Sequence, residues 1–270
     1  MTTTVLVTGA TDGIGRETAH ELARRGYRVI VHGRKSEKLA AEVSSLSALG
    51  TGGALSVRAD FSHLDDVRSM VAELESEDLR LDVLVNNAGI YAKRDERTSD
   101  GLESTMVVNH LAPFLLTHLL LASSVGAGLS RIVNVSSVAH ARGRLDADDP
   151  GGKGSTFDPY GSYAASKLAN VLFTVELARR LGSSPTVNAL HPGVVSTKLL
   201  TKGFEIEGPD SLAEGAATSV YLVTSPDVAN VTGRYFDACR ESRPSTASQD
   251  AKVAARLYER SCELVSVAPR

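Results

Sequence analysis

Cysteine is nearly absent from this sequence. Only Cys239 and Cys262 occur, too few for a disulfide framework and without the spacing of a metal site. Such usage suits a reducing compartment, and a cytoplasmic location is the expectation. A basic excess is missing as well. The formal net charge is −3 and no Lys/Arg run reads as a basic arm, which excludes the electrostatic footprint of a nucleic-acid binder. Long hydrophobic runs are also missing. The most apolar stretch, residues 111–121, is too short to span a bilayer and carries Pro113 and His118, so a buried helix is expected there. The start, Met1-Thr2-Thr3-Thr4, runs into an apolar strand without a basic segment or a long hydrophobic core. Neither a signal peptide nor a membrane anchor is expected.

What remains is an ordinary globular composition, with enough apolar residues over 270 positions to bury one large core. No repeat or flexible linker divides it, so a single domain over residues 1–270 is expected. Short β-branched runs at 5–8, 28–31, 54–57, 82–85, 131–135, 186–190 and 233–236 read as strands. Helical patterns lie at 14–25, 37–49, 102–124, 163–181, 212–222 and 248–264. Another follows Ser62-His63-Leu64-Asp65, which has capping-box spacing, with Val67, Met70, Val71 and Leu74 as its apolar stripe. Strands and helices in alternation predict an α/β fold: a doubly wound parallel sheet of about seven strands. Residues 146–161, rich in Asp, Gly and Pro, read as a loop.

Between the first strand and the first helix stands Thr8-Gly9-Ala10-Thr11-Asp12-Gly13-Ile14-Gly15. Glycines there permit a tight turn and let a pyrophosphate approach the helix N-terminus, where amides and the helix dipole favour its charge. An ordinary strand-to-helix turn also favours glycine, and the spacing is not G-x-G-x-x-G. The loop alone leaves both readings open.

Four further phrases follow in order: Asn86-Asn87-Ala88-Gly89, Ser136-Ser137, Tyr163-Ala164-Ala165-Ser166-Lys167, and His191-Pro192-Gly193 with Thr197. With them the chain resembles the short-chain dehydrogenase/reductase family over nearly its whole length. The phrases Val108-Asn109-His110-Leu111-Ala112-Pro113-Phe114, Ser166-Lys167-Leu168-Ala169-Asn170-Val171-Leu172-Phe173 and His191-Pro192-Gly193-Val194-Val195 are similar to the retinol-dehydrogenase-like branch. The resemblance implies a Rossmann-type sheet and hydride transfer between a nicotinamide and a carbonyl or alcohol.

Tyr163 and Lys167 are four apart on an expected helix and share a face. A free tyrosine, with pKa ~10, is a poor base at neutral pH, and a neighbouring ammonium would lower that value. Ser137 lies just past the fifth strand, at the carboxyl edge where open α/β sheets bind ligands. Its hydroxyl could hold the substrate oxygen; Ser136 competes, and the family motif favours Ser137. Asn109 sits inside an apolar helix four residues before Pro113, which has no N–H to give its carbonyl. The resemblance assigns Asn109 to a water-linked proton relay with Lys167.

The glycine loop would hold the cofactor through Gly9, Thr11, Asp12, Gly13, Ile14 and Gly15. An NAD enzyme of this fold carries an acid at the end of the second strand. Here the strand ends His32-Gly33-Arg34-Lys35, without a carboxylate and with two cations. NADP(H) is therefore expected over NAD(H), with Arg34 and Lys35 on the 2′-phosphate. Asp12 is expected to turn toward solvent or toward loop amides. The resemblance further implies that Asp60 and Phe61 meet the adenine and that Asn86, Asn87, Ala88 and Gly89 line the cleft. It also implies that Pro192, Gly193, Val195 and Thr197 reach the nicotinamide. His140 and His191 lack ligand spacing, read as structural, and no metal is expected. Leu199, Leu200, Phe204 and Ile206 predict an apolar pocket and a lipophilic carbonyl or alcohol substrate. Pairing through the helices at 102–124 and 163–181 would give a homodimer or homotetramer. Two other readings are a non-catalytic NADP(H)-binding sensor and an extended-type epimerase or dehydratase. An intact Ser137, Tyr163 and Lys167 argue against the first. The loop spacing and the absence of a larger C-terminal sugar-binding region argue against the second.

Overall fold

The computed structural model describes residues 2–154 and 156–270. Its sheet has the order β3-β2-β1-β4-β5-β6-β7-β8. The strands are β1 (Thr4–Val7), β2 (Arg28–Gly33), β3 (Ala54–Arg58), β4 (Val83–Asn86), β5 (Arg131–Val135), β6 (Thr186–His191), β7 (Tyr235–Asp237) and β8 (Arg240–Ser242). The first seven run parallel, and β8 returns antiparallel on β7. The sequence reading lacks this eighth strand because Arg240-Glu241-Ser242 is short and polar. β1 and β4 are neighbours although far apart in sequence, so the chain changes direction across the sheet between them. That switch opens a crevice at the strands' carboxyl ends.

Strand parity builds two cores. Leu6, Ile30, Leu84 and Ile132 face one side, under α3 (Leu64–Ser76) and α5 (Ala112–Ala122). Val5, Val7, Val29, Val31, Val83, Val85, Val133 and Val135 face the other, under α1 (Gly13–Arg24), α2 (Ser36–Leu49) and α7 (Leu212–Thr224). Two-sided burial explains why these strands are continuous apolar runs.

The helix expected at 102–124 is α4 (Ser104–Met106), a π-helical turn (Val107–Leu111) and α5. Pro113 cannot donate to Asn109. Widening the helix at this point, with the Ala112 amide on the Val107 carbonyl, spares the chain a break. The stretch Ser104–Ala122 is long and apolar enough to cross a membrane by length and composition, yet it is enclosed within the fold. No capping box forms at Ser62. Its amide (3.0 Å) and hydroxyl (2.8 Å) both bond the Asp60 carboxylate, a stronger acceptor two residues back, and α3 starts without a side-chain cap. The capping box that does form is Ser211 with Glu214, on α7.

The surface expected to pair copies is used inside the chain. α8 (Ala251–Val265) lies over α5 and α6 (Pro159–Leu181). Tyr258 meets Phe114 edge-on at 5.2 Å, its hydroxyl is 2.7 Å from His118 Nε2, and the Arg180 guanidinium stacks on its ring at 4.1 Å. His110 Nε2 is 3.0 Å from Ser261 Oγ. From Tyr163 to Ala178, all of α6 except half-buried Val175 is buried in a single chain. These two helices are thus largely covered within one chain, with Leu119, Leu121 and Val175 half-buried.

Candidate active site

The loop after β1 shapes the floor of the crevice. Gly9 and Gly13 adopt φ of +65° and +55°, which disfavours side chains. A Cβ on Gly9 would stand 2.9 Å from Ala88 Cα, and one on Gly15 would stand 2.2 Å from Asn87 Nδ2. The loop therefore lies flat against the Asn87–Gly89 turn, with the N-terminus of α1 facing the crevice. Asp12 caps that helix, accepting from the Gly13 amide at 3.0 Å. It is also bonded to Lys198 and lies 3.9 Å from Lys38 Nζ. The turn toward a loop amide matches the expectation; the two lysines were not foreseen. Lys198 foremost holds the carboxyl below its ordinary value, against partial burial.

A cleft of about 700 Å³ collects most of the expected residues: the glycine loop, Arg34, Asp60, Phe61, Asn87 to Gly89, Ser137, Tyr163, Lys167, Pro192, Gly193, Val195 and Thr197. Three lie elsewhere. Lys35 is outside the wall, at the exposed N-cap of α2. Asn86 turns into the core and donates to Asn134 (2.9 Å) and Thr117 (3.1 Å), because successive strand residues face opposite ways. This corrects the expectation that Asn86 lines the cleft. Asn109 sits behind the wall. Its Oδ1 accepts from the Ile90 amide (2.7 Å), and its Nδ2 donates to the Ile90 carbonyl and Ser166 Oγ (3.0 Å each). Asn109 Oδ1 and Lys167 Nζ converge on Gly89, where an added Cβ would meet them at 3.3 and 3.5 Å.

At the centre, Tyr163 and Lys167 come from one face of α6. Lys167 donates to the Val135 carbonyl at 3.1 Å, and its ammonium stands 5.6 Å from the Tyr163 ring centroid. Burial pushes Lys167 down to about 8. Burial also drives the Tyr163 phenol up to about 12, offset in part by a hydrogen bond with the Ser137 hydroxyl. The lowering expected from Lys167 is not the outcome: loss of hydration dominates, and the Ser137 hydrogen bond is what opposes it. Ser137 Oγ also accepts from the Ala139 amide at 3.2 Å. Ser136 spends its hydroxyl on the Lys167 carbonyl at 2.7 Å.

Sequence reasoning missed two parts of the wall. His32 accepts from the Gly9 amide at Nδ1 (3.2 Å), meets the Ala59 carbonyl at Nε2 (3.1 Å), and stacks on Phe61 at 4.2 Å. Its signal was a polar residue within the apolar strand Val29-Ile30-Val31-His32. The other is the tyrosine pair Tyr91 and Tyr160, which stands around Phe204, a residue expected in the pocket. Phe204 packs on Tyr91 (4.1 Å), edge-on to Tyr163 (5.1 Å) and near Tyr160 (6.2 Å). Phe204 belongs to a second π-helical turn, Leu199–Phe204. A Lys93–Glu205 ion pair ties that segment to the strand-four loop. Among the described residues no His/Cys/Asp/Glu group could hold a metal.

Comparison with known proteins places this geometry. A family model described as short chain dehydrogenase matches residues 3–207. Human Retinol dehydrogenase 13 is 40% identical over 280 residues, covering 98% of this chain and 85% of the human protein. Among solved structures, an uncharacterized protein from Mycobacterium Paratuberculosis superposes with a TM-score of 0.83 at 34% identity, covering 99% of this chain and 95% of its own. A short chain dehydrogenase from Escherichia coli CFT073, solved with NADPH, has a TM-score of 0.72 at 29% identity, covering 88% and 97%.

Proposed function

Since the chain belongs to the short-chain dehydrogenase family, whose members are oxidoreductases using NAD(P)(H), we propose that it is an NADP(H)-dependent enzyme interconverting a lipophilic carbonyl and its alcohol. The observation that carries this reading is the Ser137–Tyr163–Lys167 arrangement at the carboxyl edge of the sheet, beside the glycine loop.

The cleft fits a dinucleotide. The glycines at 9, 13 and 15 leave no side chain on its floor, and the α1 amides face it. When bound, the cofactor supplies or accepts the hydride. Arg34 stands 3.6 Å from Asp60, is mostly exposed, and is free to turn to a 2′-phosphate. A Cβ on Gly33 would come within 2.6 Å of Thr11 Cγ2, so an acid at that position is disfavoured by packing as well as by sequence.

Tyr163 transfers the proton. Burial keeps its phenol protonated at neutral pH, so it is the acid that carbonyl reduction requires. Ser137 holds the substrate oxygen against that phenol. Lys167, fixed on Val135, steadies the phenolate left behind. Asn109 holds the Ile90 backbone in the loop after β4 and keeps its Oδ1 toward Gly89, beside Lys167. Phe204, Tyr91, Tyr160 and Leu199 supply an apolar cover that excludes water and selects lipophilic substrates.

The test is NADPH oxidation across lipophilic aldehydes, ketones, quinones and polyketide-like carbonyls, with charged sugars and small acids as the contrast. Turnover with the lipophilic set supports the reading. Preference for the charged set refutes the substrate class, and no turnover with any carbonyl leaves the sensor.

A further inference from the structure

Ser137 is held from behind by a histidine that reaches a distant part of the chain. The Ser137 carbonyl accepts from the His140 amide at 3.1 Å and lies 2.7 Å from His140 Nδ1. His140 Nε2 is 3.0 Å from the Ser245 amide. An amide N–H can only donate, so Nε2 carries the lone pair and Nδ1 carries the proton that goes to Ser137. The ring is buried and packs on Tyr235 at 4.8 Å. Burial lowers its basicity, in keeping with this neutral tautomer.

Ser245 opens the segment that leads through a short turn, Thr246–Gln249, into α8. It lies beyond residues 3–207, the part shared with the family model. The catalytic serine of the reading above is thus tied to this C-terminal region by a two-bond bridge. Ser137 needs such a tie. It follows β5, its backbone is extended (φ −165°, ψ 159°), and its own hydroxyl is partly engaged by the Ala139 amide. Fixing the carbonyl fixes the peptide plane, and the peptide plane fixes where Cβ aims the hydroxyl.

We propose that His140 is a positioning residue that couples the C-terminal segment at Ser245 to the aim of the Ser137 hydroxyl at Tyr163. The proposal rests on the assignment of Ser137 to the substrate oxygen.

Two variants cut the bridge at different bonds. His140→Phe keeps a ring against Tyr235 and removes both. Ser245→Pro removes only the far donor. Ser245 has φ −61° and ψ 153°, which proline adopts without strain, and its hydroxyl is buried with no partner, so no other hydrogen bond is lost. Activity is read as NADPH oxidation with para-nitrobenzaldehyde and with the fastest carbonyl of the screen. Thermal melting of each variant reports whether it folds. The expected result is a fall in kcat of at least about tenfold for His140→Phe and about threefold for Ser245→Pro, with KM for NADPH within about twofold. In a Ser137→Ala background, adding His140→Phe should cost little further, because residues acting as a unit are not additive.

A folded Ser245→Pro with wild-type kcat overturns the coupling, even if His140→Phe fails to fold. A loss confined to stability, or to KM for NADPH, overturns it as well. Ser137→Ala separates the two levels. If that variant alone keeps wild-type turnover, the assignment of Ser137 fails and the proposal with it. If it is inactive while both bridge variants stay active, only the coupling fails.

Discussion

Tyr163 and Lys167 lie one helical turn apart on α6, ammonium 5.6 Å from ring centroid, and burial drives their acidities apart: the phenol up to about 12, the ammonium down to about 8. Taking charge out of water disfavours both ions; for Tyr163 the Ser137 hydrogen bond offsets only part of that, and for Lys167 burial acts alone. The pair is therefore held with a proton on the phenol, ready to give it.

Tyr163→Phe should lower kcat by ~10²–10⁴-fold, the usual contribution of a general acid, while NADPH binding stays near wild type. The ring and its packing on Phe204 survive the change. Steady-state kinetics beside a fluorescence titration of NADPH would read both, and a variant with most of its activity would remove Tyr163 from the mechanism.

Lys167→Met should abolish turnover and stabilise the fold. The ordinary lysine value of 10.5 falls to about 8 in the native state, so at pH 7 the ammonium is charged in both states and its burial cost is present in full. At ~1.36 kcal/mol per pH unit that cost is on the order of 3 kcal/mol. The stability gap between variant and wild type should narrow as pH rises from about 8 to 10.5, where only the unfolded lysine still binds its proton. Chemical denaturation at pH 7 and pH 10 tests this; a variant less stable than wild type at pH 7 contradicts it.

Arg34→Gln should raise KM for NADPH by at least about tenfold and leave KM for NADH nearly unchanged, since loss of ~1.4 kcal/mol is enough for that ratio. Wild type should prefer NADPH. Gly33→Asp is a poor companion, because its Cβ would press on Thr11. Equal use of NADH and NADPH by the wild-type protein would rule out Arg34 as a phosphate ligand.

Stability should fall on acidification from about pH 6.5 to about pH 4. His32, His110 and His118 are held neutral by burial, each with its value lowered from 6.5 to about 4. Within that window the unfolded chain binds protons that the native state refuses. Three such groups give a slope of up to about 4 kcal/mol per pH unit. Urea midpoints at pH 7.0, 5.5 and 4.5 measure it, and a flat profile above pH 5 would mean that these rings take up protons while folded.

The parts of the site legible in the sequence are those set by local spacing. Tyr163 and Lys167 share a helix face at any tertiary arrangement, and the glycine loop declares its turn by composition. Asn86 was misread because a strand end turns neighbouring asparagines opposite ways, and only pairing with Thr117 and Asn134 shows which one enters the cleft. Ser62 lost its capping role to Asp60, a competition between acceptors that a spacing rule does not weigh. The aromatic cover could not be read at all as a unit. Tyr91, Tyr160 and Phe204 come from three separate segments, and only the fold brings them onto Tyr163. The same holds for His140, whose two partners are Ser137 and Ser245.

The cover that α8 lays over Phe114 and Phe173 also has a timetable. Residues are made in order, at ~5–20 per second, so α5 and α6 exist on the order of ten seconds before residues 251–265 arrive. Through that interval the growing chain shows water an aromatic face that Tyr258 later closes. Nascent chains that expose α5 and α6 but not yet α8 should therefore carry the strongest affinity for apolar-binding chaperones, and release should coincide with the emergence of Tyr258 from the ribosome.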